Sequence, residues 1–540
     1  MTTALRRRTL LTGAGLGLLA PPLLLTGCAT ALPGQAEAGD LALLNRLTWG
    51  LDSAALAALQ RQGRRDYLQA QLHPPQQTLL PPAVQAQIDA LGLRQQPMPG
   101  LLLAMEQRRR DAEALSDPGA RQQATQAWQQ AMNQLAADAV SISLLHALYS
   151  PDQLREQLTW FWFNHFNVHQ HKGNLRAMVG DYEAGLRQHA LGRFRDLLIA
   201  SATHAAMLRY LDNERNGVNR LNENFARELM ELHTLGVDGG YSQQDVQELA
   251  RVLTGLGVAA GEPPLLKPAL QALYVRRGAT EFNPARHDMA EKWLLGQRVS
   301  GRGWDEVIDQ LDRLARHPAT ARHISRQLAV YLVADQPAPA LVDRMAQAFS
   351  ASDGDIAVTL AAMLAAPEFA PALGGKFKDP MHYVVSAVRL AQDGQPVTST
   401  ATISGWLDRL GQGLYKRQTP DGYPLDSAPW TSSGQLATRF EIARTIGAGG
   451  AGVGIGPGPA AAVPRSGQAL VSNASASASA SAVAPPLASP SASAPAMASG
   501  LARTALWPTL GERTRAALDQ AATPQAWNAL LLSSPEFMAR

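Results

Sequence analysis

Three short stretches concentrate the residues whose types and spacing suit chemistry. The first runs Asn222-Glu223-Asn224-Phe225-Ala226-Arg227-Glu228-Leu229-Met230-Glu231-Leu232-His233. On a helix, Asn224, Glu228 and Glu231 stand at i, i+4 and i+7 and share a face, while Leu229 and Leu232 turn toward a core. Two carboxylates on one face serve as acid and base, or as ligands for a hard cation. The same residues also make a solvated face held by Glu223–Arg227 and Arg227–Glu231 ion pairs, and both readings stand at this level. Asp212 and Asn213 lie just upstream.

The second stretch, Asn164-His165-Phe166-Asn167-Val168-His169-Gln170-His171, holds three histidines in seven residues. If the helix continues, His165 and His169 share a face and can grip a divalent metal. Otherwise His165 is a satisfied core residue and the other two are solvated. The third, Phe282-Asn283-Pro284-Ala285-Arg286-His287-Asp288 with Lys292, offers a His-Asp pair. Such a pair acts as base and orienter, as two metal ligands, or as a turn with a helix cap. The candidate catalytic residues are therefore Glu228, Glu231, His287 and Asp288, with His165 and His169 as metal ligands. A polar cluster of Asp212, Asn213, Asn222, Asn224, Arg227, His233 and Lys292 surrounds them. His165, Glu228, Glu231 and His287 are expected to line one pocket. No Gly-x-Ser-x-Gly elbow, phosphate-binding loop, His-Glu-x-x-His motif or calcium loop occurs.

The elements that must position these groups are mostly helices. Residues 101–136 have apolar residues at helical spacing, with a break at Asp117-Pro118-Gly119. Leu154 to Phe166 is aromatic enough to be a buried core helix. Gly236 is placed to end the 222–233 helix in a left-handed cap, and Ser242-Gln243-Gln244-Asp245 opens the next with a capping box. Val307, Leu311 and Leu314 mark a helix stopped by His317-Pro318, and Ile324, Leu328 and Leu332 mark its successor. Period-two alternation is scarce, so little sheet is expected beyond a hairpin or two. Met363-Leu364-Ala365-Ala366-Pro367-Glu368-Phe369 is echoed by Leu531-Leu532-Ser533-Ser534-Pro535-Glu536-Phe537, either as a repeat or as one way to stop a helix used twice.

The expected fold is mainly α, a multi-helical globular domain with little sheet. Residues 40–444 carry the domain, with a sub-boundary near 260–280. Residues 445–502 hold one charge, Arg465, among Ala, Ser, Gly and Pro. Such a segment buries too little to offset its ordering entropy and reads as a disordered insertion. Residues 503–540 read as helices that pack back on the domain.

The first 27 residues read as an export signal. Arg7-Arg8-Thr9-Leu10-Leu11 is a twin-arginine motif, and an apolar stretch follows that is too short to span a bilayer comfortably. Leu25-Thr26-Gly27-Cys28 matches a lipobox, so Cys28 is the expected lipidation site and residues 28–39 a tether. Ala29 follows the cysteine, which points to the outer membrane facing the periplasm. Cys28 is the only cysteine, which excludes an intramolecular disulfide. Without Arg6, Arg7 and Arg8 the chain has 45 basic and 45 acidic residues. A formally neutral protein has no field to steer it to nucleic acid.

These stretches together resemble the bacterial domain-of-unknown-function 1800 family. The resemblance rests on Trp162-Phe163-Asn164-His165-Phe166, His189-Ala190-Leu191-Gly192-Arg193-Phe194, Tyr210-Leu211-Asp212-Asn213 and Asn222 through Gly236. It continues through Gly240-Tyr241-Ser242, Leu253-Thr254-Gly255, His287-Asp288, His317-Pro318-Ala319-Thr320 and Pro367-Glu368-Phe369. Leu256 stands where the family pattern usually has Trp. The resemblance implies an exported protein, commonly encoded beside one that resembles sulfatases and alkaline phosphatases, but it implies no reaction. Two functions follow as expectations. One is a metal-dependent hydrolase of the cell envelope. The other is a non-catalytic scaffold or assembly partner of an exported sulfatase- or phosphatase-like protein.

Overall fold

A computed structural model describes residues 38–449 and 500–540. The signal, Cys28, most of the tether and most of the Ala/Ser-rich insertion lie outside the described residues.

Helices carry nearly all of the fold, and their ends follow local chemistry. The helix Met98–Ala114 gives way to Pro118–Tyr149 where Asp117 caps the second by accepting from the Ala120 amide, with Pro118 in its first turn. Ser242 and Asp245 form the reciprocal capping box of Gln243–Val252. His317 ends Trp304–Ala315 and caps Pro318–Leu332 by accepting from Ala319.

The helix Gln153–His165 lies at the centre. All its residues before His165 are buried, as its run of aromatics predicts. Trp160 stacks on Tyr331 at 5.7 Å, and Trp162 satisfies its indole N–H on the Ala190 carbonyl at 2.9 Å. One continuous apolar core runs from Leu41 to Met538. It spans the 260–280 region without a break, with Leu256, Ala279, Phe282 and Leu294 all belonging to it.

Two small antiparallel sheets interrupt the helices. Thr280–Phe282 is the middle strand between Leu256–Val258 and Val275–Arg277. Lys292–Leu294 pairs with Gln297–Val299 as a hairpin, turned by Leu295 and Gly296, both at positive φ.

The ends of the described chain meet in the core. Arg46 is fully buried and donates to the carbonyls of Leu332, Val333, Ala372 and Arg540. The segments that follow the two Pro-Glu-Phe stops pair with each other. Lys378 N–H donates to Met538 O and Arg540 N–H to Lys376 O, both at 2.8 Å. The helix Pro524–Leu532 packs against Ser433–Gly447, where the Asn528 amide meets the Gly447 carbonyl. Among the described residues, no helix is long and apolar enough to cross a membrane.

Candidate functional site

The central helix ends at His165 rather than running on to His169. The chain turns at Phe166, so the expected His165–His169 face does not form. His169 lies against His171, ring centroids 5.4 Å apart, whereas His165 has His233 at 6.0 Å and His323 at 6.1 Å. Among the described residues, no three His, Cys, Asp or Glu side chains are arranged to hold a metal ion. The donor set for a resident divalent metal is therefore not assembled.

His165 and His323 instead perform a matched task. His165 Nε2 lies 3.1 Å from the carbonyl of His233, and His323 Nε2 lies 3.1 Å from that of Leu232. A carbonyl only accepts, so each Nε2 carries the proton and each Nδ1 keeps its lone pair. Burial, then the neighbouring His233 and His323, holds His165 well below the ordinary imidazole range; burial also lowers His323. Both rings are neutral bases near pH 7.

They line a groove of about 390 Å³. Its walls come from the central helix, from Pro318–Leu332 and from residues 421–426. The loop is fixed by Asn164, whose amide N–H donates to Tyr423 O at 2.9 Å while its oxygen accepts from Tyr423 N at 2.6 Å. Gly422 is required here, because a Cβ would stand 2.2 Å from the Asn164 carbonyl. Asn167 donates to Arg417 O and Thr419 O. The groove also presents Arg326, Gln327 and Asp426, whose side chains make no hydrogen bond or ion pair among the described residues. Two neutral imidazoles, a guanidinium, an amide and a carboxyl group therefore line one space.

Glu228 and Glu231 sit beside this groove without lining it. Both are half-buried, and among the described residues neither carboxylate accepts a hydrogen bond. Burial first, then Glu231, raises the Glu228 carboxyl above its ordinary value, and the groove residue Asp421 adds to this. Arg227 turns away to Glu223 at 3.0 Å and to Gln243. The Glu223–Arg227 pair of the solvated-face reading thus forms, and its Arg227–Glu231 pair does not.

His287 is elsewhere. It is buried, with Nδ1 2.8 Å from Thr254 O and Nε2 3.5 Å from Glu306. Lys292 meets the same Glu306 at 2.7 Å, both side chains being 0% exposed. Asp288 is bound by Arg251 at 2.7 Å and accepts from the Ala290 amide. Burial pushes the Asp288 carboxyl up, but the Arg251 bond outweighs it, and the group stays below the carboxylate range. This is a closed structural staple, because each charge is answered inside the protein. His287 and Asp288 do not line the groove that holds His165, which separates the single pocket expected from sequence.

The amide cluster also braces the fold. Asn213 donates to Leu253 O and Leu256 O, Asn222 to Asp212 O, and Asn224 to Leu211 O. Asp212 adopts a left-handed φ of 59° and pairs with Lys172 at 2.8 Å. His233 is buried under the groove histidines, and burial lowers it to about 3.

Sequence reasoning missed His323, Arg326, Glu306 and the 421–426 loop. His323, Arg326 or Gln327, and Val330 stand at i, i+3 or i+4, and i+7 of one helix, a signal that was available for that wall.

Fold and site define a class: a mainly helical protein with a polar groove whose floor carries two neutral, carbonyl-anchored histidines. A family model described as protein of unknown function (DUF1800) matches residues 42–539, and the chain belongs to that family. No curated protein and no solved structure matches it.

Proposed function

We propose that the chain is an exported, lipid-anchored protein of the cell envelope that acts as a hydrolase through the His165–His323 groove. The twin-arginine motif and the Cys28 lipobox support the address. The observation that carries the activity is the pair of neutral histidines in a groove that also offers Arg326 and Asp426. An imidazole with a free Nδ1 can take a proton from water or a substrate hydroxyl, and Arg326 can meet a developing negative charge. The donor set favours general-base chemistry over the metal-centred route that the His165–His169 spacing suggested.

The test uses His165→Gln, since a glutamine amide keeps a donor for the His233 carbonyl and removes the base. The mature protein is offered aryl esters, aryl phosphates and aryl glycosides. We expect turnover of one class, lowered about 100-fold or more in the variant with folding unchanged. Equal turnover by the variant, or none in any class by the folded wild type, would overturn the reading.

The rival is a non-catalytic anchor for an exported sulfatase- or phosphatase-like partner. Trp293 favours it, an indole left 56% exposed on the Lys292–Leu294 hairpin strand. Trp293→Ser should then abolish capture of that partner from envelope extracts and leave any hydrolysis intact.

A further inference from the structure

A second cavity, of about 50 Å³, is lined by Leu51, Leu390, Leu506 and Leu531, with Lys378 and Ser386 in its wall. Two neighbouring buried cations have several partners or a carboxylate: Arg46 donates to four carbonyls and Lys376 meets Asp335 at 2.6 Å. Lys378 is different. Its side chain is buried, it faces the Phe537 ring at 3.9 Å, and its Nζ makes one hydrogen bond, to Ser386 Oγ at 3.0 Å. Among the described residues no carboxylate pairs with it. Asp379 is turned to His382 at 2.7 Å, and Glu536, which shares the cavity, accepts from Gly511 N–H and Thr514. Burial, then Arg540 and Arg439, lowers the Lys378 amine to about 7. Near neutrality a large share of it is an unprotonated base.

We propose that Lys378 and Ser386 form a serine–lysine dyad, a second site that hydrolyses a small acyl ester whose acyl group enters this cavity. The Ser386 hydroxyl donates to Tyr383 O at 3.1 Å, and one turn about its C–O bond points the proton at Lys378. The neutral amine takes that proton as Oγ bonds to the acyl carbon. The carbonyl electron pair moves onto oxygen and returns as the bond to the alcohol breaks, and the alcohol leaves with the proton from Lys378. Water, deprotonated by the same amine, then attacks the acyl-serine, and Ser386 recovers its proton as the acid departs. Asn45 lines the cavity with its amide uncommitted, which makes it the donor available to the oxyanion. The leucine walls and a volume suited to a few water molecules select an acetyl-sized acyl group.

The test is covalent. The purified protein is treated with methanesulfonyl fluoride, a serine-directed reagent small enough for the cavity, and the adduct is located by peptide mass mapping. We expect one methylsulfonyl group on Ser386, absent from Ser386→Ala and from Lys378→Met but present in His165→Gln, and the p-nitrophenyl acetate turnover that His165→Gln retains lost with it. The labelling rate should rise as pH passes through about 7. Folded wild-type protein that takes no label at Ser386, or Lys378→Met protein that labels equally, would overturn the dyad. If Lys378→Met does not fold, the wild-type profile decides: a rise centred near neutrality supports the dyad, and a rate that only tracks hydroxide refutes it.

Discussion

At the scale of single residues, burial decides what each polar group does. Lys292 and Glu306 are both wholly enclosed, so removing one partner strands the other. Glu306→Gln should cost about 3–5 kcal/mol in chemical denaturation, with the groove histidines untouched. A cost under about 1 kcal/mol would mean that solvent reaches the pair. The histidines set the response to acid. Burial holds His233 and His382 at about 3, whereas an unfolded imidazole titrates near 6.5. Between those values the unfolded chain binds protons that the folded chain refuses. Stability should therefore fall as pH drops from about 6.5 toward 3, by up to about 1.4 kcal/mol per pH unit for each such histidine. A Tm that stays flat across that window would contradict the burial of these rings. The carboxylates of Glu228 and Glu231 were legible as a shared face, but their partners were not. Which of Glu223 or Glu231 binds Arg227 depends on where Gln243 arrives, and that is a tertiary fact.

At the scale of elements, sequence chemistry located most helix ends. The capping box at Ser242 and Asp245, the Asp117 cap and the His317-Pro318 junction all stand where their letters place them. Ser242→Ala should cost about 1 kcal/mol, read as a lowered denaturation midpoint with unchanged slope. Gly236 has a φ of 85° and its amide bonds Met230 O, but the helix already ends at Glu231 with Leu232 as a right-handed C-cap, so Gly236 shapes the turn beyond it and is not the left-handed cap expected. The reason for glycine goes further, since a Cβ would stand 2.9 Å from His323 Nδ1. Gly236→Ala should therefore displace the groove histidine as well as strain the turn, with a larger loss of hydrolysis than of Tm. The end of the central helix at His165 was not legible. Nothing in the letters after Phe166 stops a helix; the Asn167 amide is drawn instead to carbonyls 250 and 252 positions away. Contacts at that separation leave no trace in local periodicity, which is why the metal pair looked plausible and the 421–426 wall was invisible.

At the scale of the whole molecule, the expected membrane attachment rests on Cys28. Cys28→Ala should release the protein from envelope membranes while leaving it folded, as fractionation would show. Retention in the membrane would mean that something other than the acyl chain holds it. The Arg46 clasp has a consequence for timing. One guanidinium joins the first described helix to a carbonyl 494 positions later, and contacts of that separation form late because the intervening chain must be ordered first. The Arg46 clasp is therefore complete only after the segment around Arg540 has joined the fold. A chain cut before Arg540 leaves Arg46 buried with three of its four carbonyl acceptors, so its core should withstand less denaturant than that of the intact chain.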